Sequence, residues 1–299
     1  MTSELVSIII PTYYRNEYLR EAVKSVKKQT YPNIELIVVD DSGMRHAEPV
    51  IASFDDINYI PLEENKGANG ARNIGFNKST GKYVQFLDDD DLLCETKIKE
   101  QVQHLKSHDE TQAIYCGVKF DSEDHLPKKD ARGDVLQYAL TFSMWPCMNS
   151  TLLADRDVLS KVTPLADRSG GDDLGFIIKL AAITQFGFIN KPLVSKRKIE
   201  GSRGESIGAI EGRKQIIRDH SELYDQFPSR IRNTALAKTY NSEGELLLQN
   251  NIWSLSAIVA FIKEGYFDGY SVKNIGRILA SLFGRPGWGV AKRVINIID

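Results

Sequence analysis

The sequence predicts an α/β protein: an open, mostly parallel sheet flanked by helices, followed by an all-helical C-terminal extension. Three observations lead there. Short runs that are almost wholly apolar, such as residues 5–10 and 34–39, read as strands buried on both faces, the mark of a parallel sheet covered by helices. Stretches of helical spacing separate these runs, so each strand–helix–strand unit should cross over in the right-handed sense. From about residue 207 onward only helical patterns continue.

Leu5, Val6, Ile8, Ile9 and Ile10 form the first strand, which Pro11 stops, and Thr12-Tyr13-Tyr14-Arg15 forms its exit loop. Leu19, Ala22, Val23 and Val26 then recur at helical spacing, which predicts a helix over 16–29. The second strand, 34–39, ends at Asp40-Asp41-Ser42; a helix over 46–54 and a strand over 58–62 follow. The Gly-rich run Asn65-Lys66-Gly67-Ala68-Asn69-Gly70 leads into a helix over 71–78, and Gly81-Lys82 turns the chain into a strand over 83–87. Further on come a helix over 96–108, an extended segment over 113–118, a polar loop over 119–134 and an apolar stretch over 144–153. A helix with Asp155 near its start comes next, and then Ser169-Gly170-Gly171-Asp172-Asp173 opens a helix carrying Phe176, Ile177, Leu180 and Ile183 on one side. Residues 186–194 read as a short strand and 195–206 as a basic loop. Helices are expected over 207–226, 229–249, 251–264, 271–284 and 287–298. This division gives a catalytic domain over 1–206, with halves of about 1–93 and 94–206, and a helical extension over 207–299.

At 42% hydrophobic and 26% charged over 299 residues, the chain has enough apolar material for a sizeable core. A net charge of −2 argues against general nucleic-acid binding, which needs a strongly basic face. Cys94, Cys116 and Cys147 fit no metal spacing and no paired disulfide framework, so they read as reduced thiols of a cytoplasmic protein. The first residues carry no basic-then-apolar secretory signal. The apolar stretch 252–262, broken by Ser254 and Ser256, is shorter than the roughly 20 residues a membrane helix takes.

Chemistry concentrates where strand 83–87 runs into four consecutive acids, Asp88 to Asp91. Neighbouring carboxylates repel by about 1 kcal/mol per pair in water and about 4 kcal/mol near a protein surface. Such a cluster at a strand's carboxyl edge is stable mainly around a cation, and hard oxygen ligands favour Mg²⁺ or Mn²⁺. The same acids also suit a solvated turn that caps the next helix. Pro11-Thr12, Asp40-Asp41 and Asn65 to Asn73 fall on that same sheet edge. Asp40 and Asp41 would accept from a ribose or base, or else simply brace a turn. Arg72 would meet a phosphate or hold the acids. The histidines share no ligand spacing with acids, and His104 and His108 read as a surface pair.

Together these pieces resemble the family-2 glycosyltransferases of the GT-A fold. The matching segments are Ser7-Ile8-Ile9-Ile10-Pro11-Thr12-Tyr13, Val38-Val39-Asp40-Asp41-Ser42, Asn65-Lys66-Gly67 with Ala71-Arg72-Asn73-Ile74-Gly75, and Gly81 through Asp91, in the family's order. The resemblance implies an inverting enzyme that uses a nucleotide-sugar donor, most simply a UDP-sugar, with Mn²⁺ or Mg²⁺ as cofactor. It implies donor contacts at Pro11, Thr12, Tyr13, Arg15, Asp40, Asp41, Asn65, Gly67 and Arg72, with Asp88 or Asp89 facing ribose or sugar. Asp88-x-Asp90 is similar to the family's metal motif, with Asp90 the direct ligand. Asp173 takes the place of the general base, and Arg197 and Arg203 belong to the basic loop that closes over the diphosphate. The acceptor implied is a glycan or a polyprenyl-phosphate-linked glycan.

Three positions depart from the family pattern. Tyr14 stands where Asn is common, Asp172 shortens the usual Glu, and Ile199 stands where many members carry His. The last departure keeps open a second reading, a glycosyltransferase-like binding protein without turnover. A sugar-nucleotide-forming nucleotidyltransferase would need a Gly-rich phosphate loop just after the first strand, where Pro11-Thr12-Tyr13-Tyr14 stands instead. Tyr138, Phe142, Trp145 and Met148 could stack on an acceptor or serve as core or lid. In 271–299, apolar rows alternate with Lys273, Arg277, Lys292 and Arg293 around Trp288, the ingredients of a helix lying at a membrane surface on the cytosolic side or of a hairpin packed on protein.

Overall fold

The computed structural model describes residues 3–168, 170–199, 204 and 206–290. Arg203, the 291–299 part of the tail and most of the expected 287–298 helix lie outside the described residues. The chain divides into two compact units, one made of Met1–Ala139, Met144–Asp167 and Asp172–Ile199, the other of Leu140–Ser143, Arg168–Gly171 and Glu200–Asp299.

The first unit is built on β1 (Val6–Thr12), α1 (Asn16–Lys27), β2 (Ile34–Asp40), α2 (Glu48–Ile51), β3 (Asn58–Pro61), α3 (Gly67–Lys78) and β4 (Tyr83–Phe86). It continues through β5 (Leu92–Leu93), α4 (Lys97–Ser107), β6 (Thr111–Phe120), β7 (Glu123–His125), β8 (Leu153–Asp155), α6 (Arg156–Ser160), α7 (Asp172–Ala181) and β9 (Gln185–Lys196), with the short helix α5 (Leu136–Leu140) between β7 and β8. The strands make one mixed sheet in the order β3-β2-β1-β4-β8-β6-β9-β5, with β7 paired to β6. The parallel run expected from sequence holds for β3, β2, β1 and β4. Beyond it, three-residue β8 enters antiparallel between β4 and β6, so the second half of the sheet is mixed. The chain leaves β1 for β2 on one side and later places β4 on the other. The crevice outside the carboxyl ends of β1 and β4 is therefore the topological switch point, where open α/β sheets bind ligands.

Burial follows the pattern that predicted it. All seven residues of β1 are buried, and α1 turns Leu19, Ala22, Val23 and Val26 inward. Gly75 of α3 lies so close to the sheet that a Cβ there would meet Ile9 Cγ2 at 2.4 Å. Some boundaries moved. Helix α2 is a single turn rather than 46–54. The polar 119–134 segment contains the hairpin strand β7, and Ile183 lies beyond α7 and is exposed. Asp155 caps α6 by accepting from the Asp157 N–H. All three cysteines are free thiols, and the rings of His104 on α4 and His108 just after it stack 4.0 Å apart.

The second unit is helical: α8 (Ile207–Asp219), α9 (Ser221–Asp225), α10 (Ser229–Asn250), α11 (Leu255–Asp268) and α12 (Val272–Leu282). Ser206, Ser254 and Ser271 cap α8, α11 and α12 through their hydroxyls, the orphan N–H groups of a helix start being what such side chains satisfy. Leu248, Ala257, Phe261 and Trp288 form a small core, with Phe261 stacked on Trp288 at 4.9 Å. Glu264 of α11, which is buried, and Arg277 of α12 make a partly buried ion pair between neighbouring helices. Among the described residues no helix is long and apolar enough to cross a membrane.

Candidate active site

The site grows out of the end of β4. Val84, Phe86 and Leu87 are buried, and the Leu87 N–H extends the pairing to Ile9 O at 2.9 Å. A tight turn, in which the Asp91 N–H donates to Asp88 O at 3.1 Å, then folds four acids into a small volume. Asp88 pairs with Arg72 Nη2 at 2.6 Å, and its N–H donates to Ser150 Oγ at 3.2 Å. Arg72, almost wholly buried on α3, also donates to Asn69 Oδ1 at 2.8 Å. Asp89 turns back to β1, where the Thr12 hydroxyl donates to it at 2.8 Å and Arg15 approaches at 3.3 Å. Asp90 accepts from Arg15 Nη1 at 2.9 Å. Asp91 is fully buried, with Lys196 Nζ 4.0 Å away and the Ser150 hydroxyl leaning toward it without ordinary hydrogen-bond geometry.

Carboxylate oxygens of Asp88, Asp90 and Asp91 lie within 4.8 Å of one another. The electrostatics of that crowding are uneven. Burial opposes ionisation of Asp88, but Arg72, Lys196 and Arg15 outweigh it and hold its pKa below the usual carboxylate range. Burial, with Asp88 next, raises Asp90. Burial pushes Asp89 up to about 6 against the pull of Thr12 and Arg15, and Asp91 up to about 7 against that of Lys196. Burial lowers Lys196, yet Asp91, Asp88, Asp90 and Asp173 more than restore it, and its pKa is raised. These residues fit a divalent cation: three hard carboxylates converge, and the two buried oxygens of Asp91 lack an ordinary hydrogen-bond donor.

The remaining predicted residues lie around this centre. Pro11 and Thr12 are the last residues of β1, in register with Val39 and Asp40. Asp40 is fully buried and accepts from the N–H of Ala47 at 2.7 Å, the N–H of Ser42 at 3.1 Å and the Tyr59 hydroxyl at 2.7 Å. Burial resists its ionisation, but those donors prevail and lower its pKa, so Asp40 braces a turn. Asp41 donates its N–H to Thr12 O at 2.9 Å and accepts from Lys66 N–H at 2.6 Å. Burial raises it despite that bond. Asn65 Oδ1 accepts from the Gly67 N–H at 3.0 Å, and Gly67 takes φ +73°, a conformation glycine adopts without strain. Tyr13 and Tyr14 are exposed and meet edge to face at 4.7 Å. Tyr14 sits at φ +55°, in the left-handed region where Asn is several-fold favoured.

Asp173 opens α7, half-buried, with Oδ1 accepting its neighbour Leu174 N–H at 3.0 Å. Burial and then Asp88 raise its pKa, while Lys196 and Arg72 draw it down, so it shares one electrostatic environment with the acid cluster. Arg197 lies elsewhere, ion-paired with Glu21 and 5.2 Å over the Tyr18 ring on α1. Lys196 joins this group without being a residue the sequence points to, and Asp91, one of the four clustered acids, joins it without being one of the two expected ligands. The sequence reads Lys196 as part of a loop starting at 195, yet β9 continues through it, and the Val194-x-Lys196 alternation is the signal for that. Asp91 joins Asp88 and Asp90 through the tight turn, which sequence spacing alone does not show.

Comparisons with known proteins identify the family and the fold. Residues 7–162 match the family described as Glycosyl transferase family 2. An uncharacterized glycosyltransferase of Rickettsia prowazekii is 37% identical over 98% of this chain and 93% of that protein. WfaP of Escherichia coli, a "UDP-Glc:alpha-D-GlcNAc-diphosphoundecaprenol beta-1,3-glucosyltransferase", is 32% identical over 58% of this chain and 64% of that protein. Among solved structures, S. aureus TarS 1–349 in complex with UDP-GlcNAc shares the fold at a TM-score of 0.67 and 17% identity, covering 98% of this chain and 91% of that one. The mannosyltransferase PcManGT of Pyrobaculum calidifontis, in complex with GDP-Man and Mn²⁺, does so at 0.57 and 17%, covering 99% and 88%. The chain belongs to glycosyl transferase family 2, and it is a glycosyltransferase built on the GT-A fold.

Proposed function

We propose that this glycosyltransferase moves a sugar from a nucleotide diphosphate sugar, a UDP-sugar, to a hydroxyl of a glycan or lipid-linked glycan. The observation that carries this reading is the convergence of Asp88, Asp90 and Asp91 within 4.8 Å, with Lys196 and Asp173 in the same field. The UDP-GlcNAc complex of TarS and the lipid-diphosphate acceptor in the name of WfaP support the choice of donor and acceptor class.

Each residue then has a task set by its surroundings. Asp90 and Asp88, joined by Asp91, would hold Mn²⁺ or Mg²⁺, which when bound stabilises charge developing on the leaving diphosphate. Arg15 and Lys196 add positive charge on that side. Pro11, Thr12 and Tyr13 line the base end of the crevice. Asp41 is the better ribose acceptor of its pair, because Asp40 is already committed to Ala47, Ser42 and Tyr59. Asn65 and Gly67 shape the α3 entrance, and Arg72 orients Asp88. Asp89, tied to Thr12, fastens the acid turn to β1. Arg197 and Arg203 complete the basic segment after β9. Asp173 takes the acceptor's hydroxyl proton as attack begins, and its raised pKa makes it the stronger base. A single displacement from the face opposite the leaving group inverts the anomeric carbon.

The same reading assigns 1–206 to catalysis and 207–299 to acceptor delivery. Val272, Ile275, Leu279, Leu282 and Phe283 are exposed on and just after α12. With Lys273 among them, this supports a peripheral contact with the cytosolic face of a membrane. Thermal-shift titration with UDP and UDP-sugars, with and without Mn²⁺, tests the donor site. Metal-dependent stabilisation that disappears in Asp90→Ala is expected, and equal shifts in both proteins would overturn it. A product of retained configuration in an NMR time course would overturn the displacement.

A further inference from the structure

At the end of β6 the inward face of the sheet changes from aliphatic to aromatic. Val118 pairs with Val194 and Phe120 with Lys196 in the parallel β6–β9 ladder. Partners in register point to the same face, so Phe120 stands beside the lysine that approaches Asp91. Across the β6–β7 hairpin Val118 pairs with His125, which places His125 on that face too. Trp145 closes the group: its ring lies 6.5 Å from Phe120 at 76° and 5.6 Å from His125 at 70°. The indole is thus propped near-perpendicular against two rings, yet remains 46% exposed.

The segment carrying this tryptophan is tied to the chemistry. Two residues on, buried Cys147 lies close enough to Asp173 to feel its charge. Slightly farther along, Ser150 accepts the Asp88 N–H at 3.2 Å. An exposed aromatic face therefore stands on the sheet face that carries Lys196, and its own segment leads within five residues to the contact with Asp88. Such a rigid ring offers a large contact area at little entropic cost, and its π-face attracts the weakly positive C–H groups on one side of a pyranose.

We propose that Trp145, backed by Phe120 and His125, is the subsite that binds a pyranose ring of the acceptor and presents its hydroxyl to Asp173. This rests on the transfer reading above. A protein–protein contact at the same ring is the competing use, and sugar-free dimerisation is its signature.

The test uses full-length protein saturated with UDP and Mn²⁺ and titrated with methyl glycosides of glucose, galactose, mannose and N-acetylglucosamine, followed by saturation-transfer-difference NMR. At least one glycoside should receive saturation mainly on one ring face. Trp145→Ala should weaken its binding about five- to tenfold, the range one aromatic contact supplies, and Trp145→Phe should keep most of it. UDP-induced thermal stabilisation should be unchanged in both variants. Equal glycoside binding by Trp145→Ala overturns the subsite. So does the absence of saturation for all four sugars with UDP bound, or concentration-dependent dimerisation lost in Trp145→Ala. Failure of UDP to stabilise the wild type overturns the transfer reading itself, and the subsite with it.

Discussion

Lys97 offers the sharpest quantitative test of how the acid turn is supported. Its side chain is fully buried on α4, and its ammonium donates to Gln85 Oε1 and to Gln101 Oε1 at 2.6 Å. Gln85 in turn donates to the carbonyls of Asn149 at 2.8 Å and Ser150 at 3.1 Å, and Gln101 to that of Thr151 at 2.9 Å. The network thus holds the 149–151 turn whose Ser150 hydroxyl receives the Asp88 N–H. Its partners are amide oxygens, and burial drives the Lys97 pKa down to about 8.

The sign of the pH effect follows from that direction. An unfolded lysine titrates near 10.4, so between pH 8 and about 10.4 the unfolded chain binds the proton that the folded one has released, and stability rises with pH. Below pH 8 the charged, buried ammonium costs about 3 kcal/mol relative to its neutral form, and going from pH 7 to pH 9 recovers about 1 kcal/mol. In Lys97→Met this contribution vanishes, while Gln85 and Gln101 each lose a donor at about 1–3 kcal/mol, independent of pH. The absolute difference is therefore a poor readout, and its slope is the informative one. Urea unfolding of both proteins at pH 7, 8 and 9 should show wild type gaining about 1 kcal/mol on Lys97→Met across the series. A flat difference would refute the neutralisation of Lys97, and a falling one would mean that a carboxylate holds it charged.

Three further outcomes follow from the same geometry. Asp91→Asn should weaken Mn²⁺ binding by at least about tenfold in calorimetry, since one of three converging carboxylates is lost; unchanged affinity would remove Asp91 from the centre. Gly75→Ala should lower stability by about 1–3 kcal/mol in thermal unfolding, because its methyl would press on Ile9 at 2.4 Å and Val39 at 3.2 Å; a neutral effect would show that α3 is not seated as tightly as drawn. Ile275→Asp together with Leu279→Asp, both at exposed positions of α12, should abolish recovery of the full chain with anionic liposomes in flotation; equal recovery would end the membrane reading of the tail.

Much of the first half was legible because its physics is local. Apolar runs bounded by Pro11, Asp40 and Asp88 give strands whose ends must share an edge, and β1, β2 and β4 do so. Helix α3 begins at Gly67 rather than 71, because Gly67 at positive φ, with its N–H held by Asn65 Oδ1, starts a helix whose Gly and Asn content disguises it. Asp40 shows how two readings of one residue separate only in three dimensions: with its oxygens occupied by backbone and Tyr59, it is a brace. The four acids look equivalent along the chain, and only the turn that bonds Asp91 N–H to Asp88 O divides them, sending Asp89 to Thr12 and gathering the other three. Lys196 was hidden for a different reason. A basic residue in a run of basic residues reads as loop, whereas a strand that ends on it delivers it to the acids.

The charge balance at the site ties these residues into one requirement. Asp88, Asp89, Asp90, Asp91 and Asp173 bring five carboxylates together, and among the described residues Arg15, Arg72 and Lys196 are the cations that touch or face them. Full ionisation would leave two negative charges uncompensated in a poorly hydrated turn. Burial and this crowding raise Asp89 to about 6 and Asp91 to about 7, so near neutral pH Asp91 keeps a share of its proton while Asp89 is mostly ionised. On the proposed function a divalent cation would carry the charge that is missing, and its binding should expel the remaining protons and ionise the cluster. By the same logic Lys196 is matched to the number of acids and is not surplus to them. Removing it would deepen the deficit, raise the acids further and leave the centre more dependent on metal.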